Sequence, residues 1–300
     1  MSARMGHETL RGILSQEKPA ITLGFGPTDG VAVNNSWPRI NRPTIWKAFT
    51  LETLNQSYGH ILDAANPAGT YGTIPRAEDV GKITNAELPE HLEPQSKWNN
   101  SILKCSVDFA KGKLPSPIRG NVEYLPPTNH HLGIAPRQTH VIKLAGFDEP
   151  YLVVGLRRLT SQWAGNTLAT RIKAGLDIRA NHLWPVRQLA DACCRVGTRY
   201  GFIQTEEELV VFCFSKAADE TLSVTLNAIS WANYDGQYHL TTNLALWWLC
   251  MLAISGPENR RICAEQDMVP LDKWSDPVSE DFLLAAQHHY YSGFTRYLPL

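Results

Sequence analysis

Apolar positions along the chain fall into short runs separated by polar stretches that carry Gly and Pro. Ile45, Phe49, Leu54, Tyr58 and Ile61 share roughly one helical face, and Thr44 stands where a side-chain oxygen would cap the first turn. This pattern predicts a helix over 44–61, ending before Asn66 and Pro67. The polar stretch 69–100 reads as an extended loop with at most a short helix at 86–92. Apolar or alternating runs at 102–109, 139–144 and 151–156 predict three strands, and the prolines within 111–137 make that stretch an excursion between the first two. Pro185 at a first helical position and Gly197 at a C-terminal stop bound a second helix. Strands follow at 200–204 and 209–214, and Leu222, Val224, Leu226 and Ala228 alternate along another. Thr241 caps the apolar run 244–254, Gly256 closes it, and Ser279 caps a last helix carrying Phe282, Ala286 and His289.

The order is α, three β, α, three β, then helices, which is an α/β class with a mixed (α+β) sheet. Residues 1–43 form an irregular lead-in, and 44–300 a single domain that includes the C-terminal helices. Within the lead-in, Gly24, Gly26 and Gly30 miss the GxGxxG spacing by one residue. Pro27 also interrupts the place where a phosphate-capping helix would begin, which argues against a dinucleotide loop.

Composition changes the picture in three ways. Lys plus Arg number 28 against 29 Asp plus Glu, so no global positive charge draws the chain to nucleic acid, although a local basic groove fits within a neutral total. The N-terminal residues lack a continuous apolar leader, and the run 244–254 is far shorter than the ~20 residues that span a bilayer. The expected location is intracellular, cytoplasmic or nuclear, with no membrane partner. Cys105, Cys193, Cys194, Cys213, Cys250 and Cys263 include no CxxC pair and read as reduced thiols. The doublets His130–His131 and His288–His289 lack zinc-ligand spacing and read as structural or surface residues.

From Lys104 to Trp274 the chain resembles a family of filamentous-fungal proteins with a PD-(D/E)XK nuclease-like core, sometimes associated with fungal kinase-like domains. The resemblance rests on Lys104-Cys105-Ser106-Val107-Asp108-Phe109-Ala110, on Tyr151-Leu152-Val153-Val154-Gly155, and on Arg187-Gln188-Leu189. It continues in Arg199-Tyr200-Gly201-Phe202 with Leu209-Val210-Val211, and in the segment from Leu240 to Leu249. It implies an αβββαβ core with a helical C-terminal extension. The chain carries no kinase signature of its own.

In such a core two carboxylates converge on a divalent ion, usually magnesium, that polarises the scissile phosphate and activates a water, and a lysine two residues past the second acid offsets developing charge. Asp108 corresponds to the first acid, with Val107 where the motif has Pro. The family's Gly-Glu-x-Lys corresponds to Gly155-Leu156-Arg157-Arg158, so Leu156 replaces the second acid and Arg158 the lysine. Gln188 corresponds to a helix position that faces the site. Glu123, Glu149, Asp177 and Asp191 are the carboxylates that would have to migrate in for cleavage.

The expected catalytic set is therefore a degenerate one of Asp108, Arg158 and Gln188, with Asp108 a metal ligand only if a second acid is supplied. No cofactor is expected, or magnesium if the site is active. The implied function is a non-catalytic nuclease-like protein binding nucleic acid or a protein partner. The alternatives are an active magnesium-dependent nuclease with a migrated carboxylate, or an accessory protein of a fungal metabolic pathway. Arg157, Arg158, Arg171, Lys173 and Arg179 form either a phosphate-contacting edge or a solvated surface.

Overall fold

β-Branched and aromatic residues dominate the middle of the chain, and a sheet forms there because their side chains fit a pleated surface packed on both faces. In the computed structural model, described over residues 7–19, 21, 32–67, 69–70, 93–115, 118–125, 139–146, 151–219, 221–279 and 284–299, the elements run as follows. First come α1 (Leu10–Leu14), β1 (Ile40–Ile45) and α2 (Leu51–Leu62), then α3 (Glu93–Lys111), β2 (Val122–Leu125), β3 (Thr139–Leu144) and β4 (Tyr151–Arg157). Next are α4 (Gly165–Lys173), α5 (Ala180–Val196), β5 (Tyr200–Gln204), β6 (Glu208–Lys216) and β7 (Leu222–Ser230). The chain closes with α6 (Thr242–Ile254), α7 (Pro257–Arg260), β8 (Val278–Ser279), β9 (Leu284–His288) and β10 (Thr295–Pro299).

Strands β1 to β7 make one mixed sheet in the order β1-β7-β6-β5-β4-β3-β2. β2, β3 and β4 form an antiparallel meander, β5 returns parallel to β4, and β1 lies parallel to β7 at the far edge. β8, β9 and β10 form a separate antiparallel sheet.

Each face of the large sheet has its own core. On one face Tyr200, Phe202, Val211 and Ile142 join residues of α1, α2, α3 and α6; on the other Val154, Leu156, Ile203 and Phe212 join α4 and α5. Every residue of α6 is buried, as required of a helix with no polar face. Trp248 stacks on Phe49 with ring centroids 4.2 Å apart, and Trp247 donates from Nε1 to the Ser106 carbonyl of α3 at 3.3 Å. The Thr241 side chain caps α6 by accepting from Leu244 N, and Gly197 closes α5 in the left-handed conformation that favours glycine, at φ 74°.

Several local expectations are corrected. Residues 40–45 are strand, so Thr44 caps nothing; Thr50 caps the helix instead, accepting from Thr53 N. Residues 102–109 lie inside α3, because Trp98, Ile102, Leu103, Val107 and Ala110 follow a helical stripe that all faces the core. The excursion after α3 contains strand β2, and α5 begins at Ala180 with Pro185 inside it rather than at its start. The lead-in contributes α1 and β1, whose Leu10 and Ile40 enter the two cores. The tail is strand where a helix was expected: Ser279 lies in β8, Ala286 in β9, and β9 pairs with β10. Phe282, the glycines at 24, 26 and 30, His130–His131 and the helix expected at 86–92 lie outside the described residues.

Truncating the Trp248 ring would leave a void between α6 and Phe49. Trp248→Ala should lower unfolding free energy by about 3–5 kcal/mol with an unchanged denaturant slope. A loss under about 1 kcal/mol in urea titration would show that this contact does not hold the layers together.

Candidate functional site

The alternation of side chains along β4 decides what its C-terminal end can hold. Val153 belongs to the core under α3 and α6, whereas Val154 and Leu156 belong to the core under α4 and α5. Gly155 and Arg157 therefore face the α3 side and Leu156 the opposite side. On β3, His140 stands directly opposite Gly155 and shares its face. On β5, Gln204 stands opposite Arg157.

The N-terminal part of α3 lies over this strand end and adds Gln95, Ser96 and Asn99. Gln95 donates from Nε2 to the Thr205 carbonyl at 3.0 Å, and Asn99 from Nδ2 to Gln204 Oε1 at 2.5 Å. Ser96 Oγ and His140 Nε2 are 3.4 Å apart, and the Tyr124 ring lies 5.2 Å from the imidazole. All of these side chains are buried, His140 at 1% exposure and Arg157 at 5%. Among the described residues, Gln95 Oε1, His140 Nδ1 and Gln204 Nε2 have no hydrogen-bond partner. Burial and then the Arg157 charge push the His140 pKa well below its ordinary value, so the ring is neutral. Burial raises the Tyr124 phenol, against the opposing pull of Ser96, Arg157 and Asn99.

Among the described residues the cluster thus combines one guanidinium with neutral donors and acceptors. Hard divalent ions require several oxygen ligands including carboxylates, and this donor set does not fit one. Nor is there room for an acid at the paired position: a Cβ on Gly155 would lie 2.0 Å from Cζ of Phe202, whose ring fills the space. Among the described residues no group of three or more His, Cys, Asp or Glu side chains is placed to hold a metal ion.

Of the residues expected to form the site, Arg158 and Gln188 come together. Arg158 donates from Nη2 to Gln188 Oε1 on α5 and from Nη1 to the Arg157 carbonyl at 2.7 Å. Burial lowers its pKa to about 10, which leaves it charged at neutral pH. Asp108 is elsewhere. It lies on α3, pairs with Lys111 at 2.8 Å and accepts from Val122 N at 3.2 Å. Val122 pairs with Leu144 and Leu156 with Thr139, at opposite ends of β3. Those ends are roughly 17 Å apart at the rise of an extended strand. Leu156 is packed among apolar side chains of the α5 layer. Glu123 pairs with Lys143 and Asp191 with Arg195, and Glu149 lies outside the described residues.

A cleft of about 800 Å³ opens nearby, between α4 and the ends of β6 and β7, and includes Glu206, Glu207 and Glu208. Two of these acids serve the backbone. Glu206 accepts from Thr160 N at 2.8 and 3.0 Å, and Glu208 accepts from Gly165 N and Asn166 N at the start of α4. Burial raises both pKa values against these stabilising amides.

Sequence reasoning missed Gln95, Ser96, Asn99, Tyr124, His140 and Gln204. Their one readable signal was the amphipathic stripe of α3, whose polar residues at 95, 96 and 99 mark the turns that cover the strand end. No protein-family model, curated protein or solved structure matches this chain.

The buried neutral His140 ties stability to pH. The unfolded chain takes up a proton as pH falls below the ordinary histidine value of 6.5, and the folded chain does not. Stability therefore falls on acidification, at up to about 1.4 kcal/mol per pH unit for this group. His140→Gln should remove that contribution, so the gap between wild type and variant in urea titrations should shrink from pH 7 to pH 5. A gap independent of pH would contradict a neutral buried ring.

Proposed function

We propose that the chain is a nuclease-like protein that binds nucleic acid without cleaving it. The element order α3, β2, β3, β4, α5, β5, with α4 inserted between β4 and α5, an antiparallel meander and the parallel return of β5 beside β4, supports the αβββαβ core that the resemblance to the fungal PD-(D/E)XK family implies. Its members differ from those expected from sequence: α3 replaces the helix at 44–61, and β2 replaces the strand at 102–109.

The end of β4 carries the reading. Phosphodiester cleavage by this type of core needs carboxylates that hold a divalent ion against the phosphate. Here Phe202 closes the place beside Gly155, His140 is neutral, and among the described residues the charged group on this face is Arg157. Arg158 adds a second guanidinium on the other face of the same strand end. Among the described residues this strand end carries buried guanidiniums where cleavage would need acids, and their charge acts on a polyanion through the field it adds rather than by surface contact.

The test is fluorescence anisotropy with labelled single-stranded and duplex oligonucleotides over a KCl series containing magnesium, followed by a denaturing gel of the same samples. The logarithm of the affinity should fall linearly with the logarithm of salt concentration while the strands stay full length. Absence of salt-dependent binding to any DNA or RNA would overturn the binding half. Magnesium-dependent products that vanish in Arg157→Ala would overturn the other half.

A further inference from the structure

The sequence groups Arg157 and Arg158 with Arg171, Lys173 and Arg179 as either a phosphate-contacting edge or a solvated surface. At 5% and 3% exposure the first two face the interior and cannot line a surface. The other three do lie outside, where α4 ends and α5 begins, and the structure adds residues that the linear order does not suggest. Lys173 and Arg179 are exposed, and Arg171 is partly so. Arg171 and Arg179 sit close enough to His182 to add to the effect of burial in lowering its pKa, and Arg39, just before β1, acts in the same way on Arg187 of α5. Cations from three separate segments therefore share one side of the molecule.

Aromatic rings stand among them. The Arg187 guanidinium lies 4.3 Å from the Trp184 ring centroid, and Trp37 meets Trp184 edge-on with centroids 6.5 Å apart. Arg187 also donates to the carbonyls of Pro38 at 2.9 Å and Trp37 at 2.6 Å, which holds the segment before β1 against α5. Both tryptophans remain partly exposed. Among the described residues the opposing charge on this face is the exposed Asp177 carboxylate. Arg171 binds the Asp177 carbonyl oxygen rather than its carboxylate, Asp191 is paired with Arg195, and the first turn of α5 carries no acid.

Cations set around half-exposed tryptophans suit a partner with a charged backbone and accessible flat rings. Duplex nucleic acid hides its base faces in the stack, and an unpaired strand presents them. Resting on the nucleic-acid reading above, we propose that the α4–α5 face docks single-stranded nucleic acid, with backbone phosphates on Arg171, Lys173 and Arg179 and a base stacked at Trp184. The start of α5 lies at the same end of the sheet as the end of β4, since Trp163, just past β4, donates to the His182 carbonyl at 3.0 Å. A strand crossing this face would run toward the end of the sheet that carries Arg157 and Arg158.

The experiment compares wild type with the triple variant Arg171→Gln, Lys173→Gln, Arg179→Gln and with Trp184→Leu, using a labelled single strand and an unlabelled duplex competitor. Circular dichroism melts check that each variant folds. The triple variant should bind about tenfold or more weakly at low salt, and its log-affinity against log-salt slope should be shallower by about 2, following ~0.7 per lost phosphate contact. Trp184→Leu should weaken binding by about fivefold or more with the slope unchanged, and Asp177→Asn should strengthen it. If wild type binds no nucleic acid, the functional reading itself fails. If wild type binds and the triple variant keeps both affinity and slope, this face is not the site, although the functional reading survives. Tighter binding of duplex than of single strand would overturn the assignment to unpaired strands. In the triple variant Arg171→Gln also removes the two hydrogen bonds to the Asp177 carbonyl, so its melt is compared with that of Arg171→Gln alone, and the double variant Lys173→Gln, Arg179→Gln, which changes only exposed charges, carries the test even if Trp184→Leu unfolds.

Discussion

The structure depends on burying α6 on every side. A helix reading Thr-Asn-Leu-Ala-Leu-Trp-Trp-Leu-Cys-Met-Leu-Ala-Ile has no face it can show to water, and among the described residues no helix is long and apolar enough to cross a membrane. It must lie between the sheet and a second layer of protein. α1, α2 and α3 provide that layer, with Phe49 stacked on Trp248 and Ser106 accepting from Trp247. Placing α3 there also sets its N-terminal turns over β3, β4 and β5. Core packing thereby assembles the polar cluster of Gln95, Ser96, Asn99, His140, Arg157 and Gln204 from four elements distant in sequence.

The chemistry of that cluster follows from the same packing. Phe202 comes from the strand parallel to β4 and fills the space beside Gly155, so the position nearest His140 is closed sterically as well as lacking an acid. Desolvation keeps His140 neutral beside Arg157. Buried polar atoms normally find partners, and the unpartnered Gln95 Oε1, His140 Nδ1 and Gln204 Nε2 make this strand end one of the places where the described fold leaves polar capacity unused. Leu156, which a linear comparison sets at the heart of the site, instead stabilises the opposite core.

Signals that live in a few neighbouring residues were legible. Gly197 stops α5, Thr241 caps α6, and the alternation through 222–228 marks β7. Signals that need a wider window or a tertiary partner were not. Ile102, Leu103, Val107 and Phe109 look like a strand until Trp98 and Ala110 extend the helical stripe, and that error moved Asp108 from helix to strand. Leu284, Ala285, Ala286 and Gln287 favour helix locally, but pairing with β10 makes them strand. His140 is one polar residue in an alternating strand, and nothing near it in sequence names Gln95, Asn99 or Arg157 as neighbours. The face of Leu156 could be assigned only once the pairing of β4 with β3 and the two cores were known.

The central proposal is that the end of β4, where a nuclease-like core would set metal-binding groups, holds cationic and neutral ones among the described residues. Electron paramagnetic resonance of manganese(II) titrated into the folded protein tests it most directly, because the free ion gives a sharp signal that collapses on binding. The account predicts that the signal stays at its buffer amplitude up to protein concentrations in excess of the metal, with or without a bound oligonucleotide. Stoichiometric loss of the signal, restored by His140→Ala or Gln95→Ala, would contradict it.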